Sequence, residues 1–385
     1  MSIGYKKTLV SFLGKMRDHK TYPETSYQMP RPGGEIFKTR FLGMSLASHL
    51  KVDRLVLLGT ETSMWDNLIL EYLKEEGKLD FFDGEDLDSK LKLVEEVLQK
   101  SLGMPVRALR IPFGKTESEQ LDILNIVSRE VTASESLFFD VTHGFRHTPM
   151  MSILAGYYLE VVRKVRVKGF YYGAYEMSEN DLCPVISLSG YSKLLEWIRA
   201  LENFEGSGNF GVFAPLYDQE GIDARSLKDA AYFERTNQVK ESRNKISTFR
   251  QKDSEISQAS PLLSLFHPIL QQRTDWYRKV DRYEWERELA FFYFKKDDWA
   301  RTIILLLESF YSRELINRGR NPDLYQERES LKQDFRTSEP DPFLQKLTML
   351  RNVVAHTKVE NQDFKEITSP ERLKSFLGEA FKRLS

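Results

Sequence analysis

Near the C-terminal end of the chain stands RNVVAH, residues 351–356. Arg351, Asn352 and His356 are residue types that metal-independent cleavage of a ribose phosphodiester requires. A base must take the proton from the 2′-hydroxyl, an acid must protonate the departing 5′-oxygen, and a cation must balance the charged phosphorane. Histidine titrates in the range where it serves as base or acid. Arginine stays charged and fits phosphate. Asn352 can hold either group by hydrogen bonding. The pattern alone carries little information. With 28 arginines and 6 histidines in 385 residues, about one Arg–His pair at this kind of spacing arises by chance. Positions five apart also lie about 140° apart on a straight helix, so Arg351 and His356 do not project side by side. A site composed from two copies of the chain across a two-fold axis removes that difficulty.

A second constellation is DVTHGFRHTPM, residues 140–150. Thr148 reads as a helix cap and Pro149 as a first-turn residue, which leaves Asp140, Thr142, His143, Gly144 and Arg146 in a strand-to-helix turn. Glycine lets backbone approach a ligand, Thr and His offer hydrogen bonds, and Arg matches phosphate bidentately. The bland alternative is a capped turn with solvated polar residues, as many α/β turns have.

The elements that must position these residues follow from hydrophobic pattern. Residues 8–13, 54–59, 105–111, 136–141, 165–173 and 184–188 are short and apolar, bounded by Gly, Pro or Asp, and predict buried strands. Between them, residues 35–50, 65–76, 86–102, 118–131 and 149–163 predict helices. The alternation implies a Rossmann-like, mostly parallel sheet with helices on both faces, its last strand antiparallel at an edge. In such sheets ligands sit beyond the carboxyl ends of the strands. Three segments therefore matter: Ser11 and Gly14 with the long loop 15–34, the loop carrying Gly59, Thr60 and Ser63, and the turn 140–150. No dinucleotide fingerprint and no phosphate-binding P-loop occurs in the sequence.

The stretch NFEGSGNFG (203–211) breaks the pattern and marks a boundary between domains 1–202 and 203–385. Beyond it, residues 222–258, 262–295, 297–318, 323–335, 341–357 and 370–384 read as helices, with 250–260 as a mobile polar loop between helices. The fold class is α/β followed by all-α. The run WYRKVDRYEWERE (276–288) has aromatic and basic residues suited to RNA stacking, yet its spacing fits a buried helix face better. Asp297 and Asp298 read as a solvated helix start, with no metal site.

Composition narrows the class further. Hydrophobic residues form 41% and charged residues 29%, the mixture of a globular chain. A formal net charge of -1 argues against bulk electrostatic attachment to nucleic acid, although basic residues gathered in one groove would still hold RNA. The lone Cys183 excludes an internal disulfide and points to a reducing, cytoplasmic setting. The N-terminal segment has only a six-residue apolar run, too short for a secretory signal, and no run has the length of a membrane span. A soluble, cytoplasmic protein is expected.

The ordered segments GTETSMWDN, DVTHGFRHTPMMSILAGYYL and VKGFYYGAYE resemble the CARF (CRISPR-associated Rossmann-like) domains of type III CRISPR ancillary proteins, over roughly residues 5–200. The resemblance implies a dimeric domain that binds a cyclic oligoadenylate across its two-fold axis. Carried over by position, Ser11, Gly14, Gly59, Thr60, Ser63, Thr142, His143, Gly144 and Arg146 would line that pocket. Tetra-adenylate is the ring size favoured, though no residue fixes it. A long helix over 295–315 containing Glu308, followed by the R-x4-H helix, resembles the HEPN ribonuclease domains over about 285–385. Together these imply an endonuclease of single-stranded RNA, a homodimer without metal or cofactor, switched on by its cyclic activator in antiviral defence. Two alternatives remain at this point. One is a non-catalytic sensor or regulator, and the other is a sensor that also degrades its own ligand with help from His143.

Overall fold

The computed structural model describes residues 6–16, 22–30, 34–73, 86–133, 135–145, 147–337, 341–356 and 369–384, without the side chains of Arg336, Thr337 and His356. The chain divides into two compact units, residues 1–195 and 196–385.

The first unit runs β1 (Lys7–Leu13), β2 (Thr25–Gln28), β3 (Ile36–Thr39), α1 (Leu42–Leu50), β4 (Arg54–Gly59), α2 (Trp65–Leu73), α3 (Leu87–Leu102), β5 (Val106–Arg110), α4 (Glu117–Glu130), β6 (Ser136–Asp140), α5 (His147–Arg163), β7 (Arg166–Gly173) and β8 (Leu182–Ser187). Its eight strands form one sheet in the order β3-β2-β8-β7-β6-β1-β4-β5. β1 is flanked by β4 and β6, both parallel to it. After β2 and β3 at the far edge, the chain adds β4 and β5 on one side of β1, then returns to β6 on the other side, so a topological switch point falls at β1 and β6.

Successive residues of each central strand serve opposite faces. Leu9, Leu13, Leu55 and Leu57 pack in one core with Leu46 of α1, Leu68 of α2 and Val94 of α3. Val10, Phe12, Val56 and Leu58 pack in another with Ile123 and Val127 of α4 and Leu159 of α5. Strands buried on both sides read as continuous apolar runs, which is why β1, β4 and β6 were legible.

Three expectations change. Residues 36–39, expected inside the helix 35–50, form β3, and loop 15–34 contains β2; the two strands pair antiparallel. Both are short and half polar, and their register comes from pairing rather than from a strong local pattern. β8 runs antiparallel to β7 as expected, but β2 pairs beyond it, so β8 is not an edge. α5 begins at His147, so Thr148 lies inside the first turn, where its N–H bonds to the Phe145 carbonyl instead of being capped.

The second unit is helical. The helix α6 (Ser189–Ser207) covers the division between units and extends into the segment expected to be a linker. It is followed by α7 (Ala214–Gln219), α8 (Arg225–Arg235), α9 (Val239–Arg250), α10 (Asp253–Ala259), α11 (Pro261–Thr274), α12 (Arg282–Lys295), α13 (Trp299–Asn317), α14 (Tyr325–Thr337), α15 (Pro342–His356) and α16 (Pro370–Leu384). The supposed helix 222–258 is three helices, and the supposed mobile loop 250–260 contains α10. Asn237 stops α8 by adopting a left-handed conformation, φ 58°, which asparagine tolerates. Trp276 and Trp285 are buried, but the expected helix 262–295 breaks between them, with Trp276 in a 3-10 turn and Trp285 in α12; Asp298 caps α13 by accepting from the Arg301 N–H. Asp297 pairs with Lys374. Among the described residues no helix is long and apolar enough to cross a membrane.

Candidate functional site

Because β1, β4 and β6 are parallel neighbours, the loops after them open on the same end of the sheet. Ser11, near the end of β1, donates to the Asp140 carboxylate at 2.7 Å, and both residues are buried. The other Asp140 oxygen accepts from the Thr142 N–H at 3.0 Å. Thr142 in turn accepts from the Gly173 N–H at 2.8 Å, which fixes the turn against β7. Asp140 thus acts as an anchor for the turn, with its charge spent on fixed donors.

The β4 loop is tied to the same place. Ser63 donates to the Leu13 carbonyl at 2.7 Å and accepts from the Thr60 N–H at 2.8 Å. The Met64 N–H reaches the Gly14 carbonyl, and the Trp65 indole bonds to the Thr60 carbonyl. Glycines permit this crowding. A Cβ on Gly14 would stand 2.6 Å from the Gly144 nitrogen, and one on Gly59 would stand 2.5 Å from the Trp65 ring. Gly144 itself has φ 112°, a conformation that disfavours any side chain.

α1 directs its N-terminal end at this cluster. Phe41 supplies no side-chain cap; instead the Leu42 N–H reaches Nε2 of His143 at 3.4 Å. A Cβ on Gly43 would stand 2.2 Å from the Ser11 hydroxyl. His143 is held below its ordinary pKa by burial, which outweighs the attraction of Asp140. Its ring is neutral at neutral pH, with the Nε2 lone pair turned to a backbone N–H. The site therefore offers neutral hydrogen-bonding groups, tightly approached backbone and a helix N-terminus, the equipment for an anionic or nucleotide ligand.

Of the residues picked out in the sequence, Ser11, Gly14, Gly59, Thr60, Ser63, Thr142, His143 and Gly144 come together here. Arg146 lies outside the described residues. Sequence reasoning did not pick out Tyr22, Gly43 or Gly173, although Gly173 lies within the segment VKGFYYGAYE.

In the helical unit, α15 buries Leu344, Leu347 and Leu350 and packs against α13. Arg351 is half-buried and has no ion-pair partner among the described residues, while Asn352 is exposed. His356 is the last residue of α15, and its side chain is outside the description. Glu308, the acidic residue within α13, pairs with Arg328, which is buried beside Glu286 and Ser312. That network is a buried structural tie: burial raises the Glu286 pKa, and Arg282 and Arg328 oppose the rise. No group of three metal-ligating side chains occurs among the described residues.

Residues 8–176 match the family described as CRISPR system endoribonuclease Csx1, CARF domain. The first unit is thus similar to the CARF domain of the Csx1 family. The site at the β1, β4 and β6 ends lies within the matched residues, whereas β8 of the sheet lies beyond them. A CRISPR-associated protein of Methanocaldococcus jannaschii is 26% identical, over 82% of this chain and 56% of that protein. The chain thus spans little more than half the length of that relative. The CARF match stops before α6, so the helical unit draws no family assignment from it.

Proposed function

We propose that the chain is a homodimeric endoribonuclease activated by a cyclic oligoadenylate, with a CARF sensor and a HEPN-type helical nuclease, acting in type III CRISPR defence. The observation that carries this reading is the match of residues 8–176 to the sensor domain of an endoribonuclease family. The activator would rest on the backbone of Gly14, Gly59 and Gly144, with Ser11, Thr60, Ser63, Thr142, His143 and Arg146 around it. At the nuclease end, His356 would take the proton from the ribose 2′-hydroxyl. The 2′-oxygen then attacks phosphorus, the bond to the 5′-oxygen breaks, and a protonated histidine returns a proton to that oxygen, leaving a 2′,3′-cyclic phosphate. Arg351 would balance the phosphorane charge and Asn352 would orient the histidine.

The dimer has support in α5. Met150, Leu154 and Val161 are exposed, and their four- and seven-residue spacing aligns them in one apolar stripe. The stripe runs from the ligand turn, as a two-fold ligand site would need. The ligand-degrading alternative gains nothing from His143, whose Nε2 lone pair is engaged by Leu42. The reading is tested by assaying RNA cleavage with and without each cyclic oligoadenylate, for wild type and His356→Ala. Activator-dependent cleavage that His356→Ala loses at least about a hundredfold, with activator binding retained, is expected. Full-rate cleavage by His356→Ala removes the nuclease assignment.

A further inference from the structure

Tyr22 lies at the ligand end of the sheet, and the reading above gives it no role. It lies between β1 and β2, and its ring covers His143 with centroids 4.3 Å apart at 35°, while Phe41 meets it edge-on at 5.6 Å. Its hydroxyl reaches the end of β1. A Cβ on Gly14 would stand 2.6 Å from the Tyr22 oxygen and equally close to the Gly144 nitrogen. The phenol oxygen and the turn after β6 therefore converge on Gly14, where only a glycine leaves room for both. The Gly14 backbone also interacts with the Tyr22 hydroxyl and opposes the effect of burial on it. Burial raises the Tyr22 pKa to about 12, so the oxygen is a neutral acceptor at working pH.

We infer that the Tyr22 hydroxyl is a placeholder for an anionic ligand oxygen: it occupies the Gly14–Gly144 backbone seat in the free protein, and a bound phosphate displaces it. This rests on the ligand reading of the CARF site. A phosphate oxygen accepts a charge-assisted hydrogen bond about twice as strong as a neutral one, so it wins the exchange. Until it arrives, the phenol keeps a partly buried amide from standing bare. Removing the hydroxyl removes the competitor while keeping the ring on His143.

The test compares wild type with Tyr22→Phe, using inorganic pyrophosphate as probe in calorimetry and fluorine NMR of protein labelled with 3-fluorotyrosine. Losing one weak contact that must be broken on binding predicts roughly two- to five-fold tighter pyrophosphate binding by Tyr22→Phe. The Tyr22 resonance, assigned by its absence in the variant, shifts as wild type is saturated. Equal or weaker binding by the variant, an unmoved resonance, or no pyrophosphate binding at all overturns the inference. Cyclic tetra-adenylate, titrated in parallel, is expected to show the same gain in the variant. If pyrophosphate displaces Tyr22 while no cyclic oligoadenylate binds, the placeholder stands and the ligand reading falls.

Discussion

Single residues decide how close the pieces of the site can come. Gly43 is the clearest case, because a Cβ there would overlap the Ser11 hydroxyl that anchors Asp140. Gly43→Ala is expected to lower stability by about 1–3 kcal/mol through overpacking, read as a shift in the denaturant midpoint at constant slope. In the helical unit, His267 links Tyr217 and Asp253, with ring contacts of 2.8 and 3.0 Å, and Arg250 holds the same carboxylate. Burial keeps His267 below its ordinary pKa even though Asp253 opposes the shift. The unfolded chain therefore binds a proton at this position before the folded chain does. Its contribution is complete above the ordinary histidine pKa of about 6.5 and is lost as pH falls below it. Thermal melts at pH 7.5 and pH 5.5 should show a drop that His267→Gln reduces. Gly14, Gly59, Gly144 and the hydroxyls of the site were legible in the sequence, since chemistry can be read from residue type, whereas Gly43 and Gly173 were not. Tyr22 was not, because nothing local to a long loop says where its tip returns.

At the scale of elements, β1, β4 and β6 declared themselves as dense apolar runs, and β5 and β7 through their Val, Leu, Phe and Tyr residues between polar ones. β2 and β3 did not, since at least half of each strand is polar and much of its order comes from its neighbours. The helical unit shows the complementary failure. Periodicity marks where helices lie, whereas the breaks between α8, α9 and α10 depend on single backbone conformations such as that of Asn237. α5 carries a prediction of its own. Leu154 is 69% exposed within the apolar stripe, so Leu154→Lys should weaken self-association by tenfold or more, roughly the effect of losing one buried leucine. Sedimentation velocity across a dilution series checks this, and an unchanged dimer would move the interface elsewhere.

For the whole molecule, near-neutral charge sets what kind of RNA partner it can be. A net charge of -1 provides no general attraction for a polyanion, so any RNA affinity must come from a few local cations. On the proposed nuclease reading, binding of His356→Ala to single-stranded RNA should therefore show a shallow salt dependence, equivalent to roughly two to four phosphate contacts. A steep slope would mean an extended basic track. The seam between β2 and β8 has another use. Cys183 sits on β8 with no exposed surface, opposite Tyr27, and is the chain's only thiol. Its rate of reaction with a thiol reagent is consequently an intrinsic clock for opening of that seam, readable without any label. Because no other cysteine competes, a spectroscopic probe can be attached through one added surface cysteine in either unit, and the native protein needs no prior mutation to allow it.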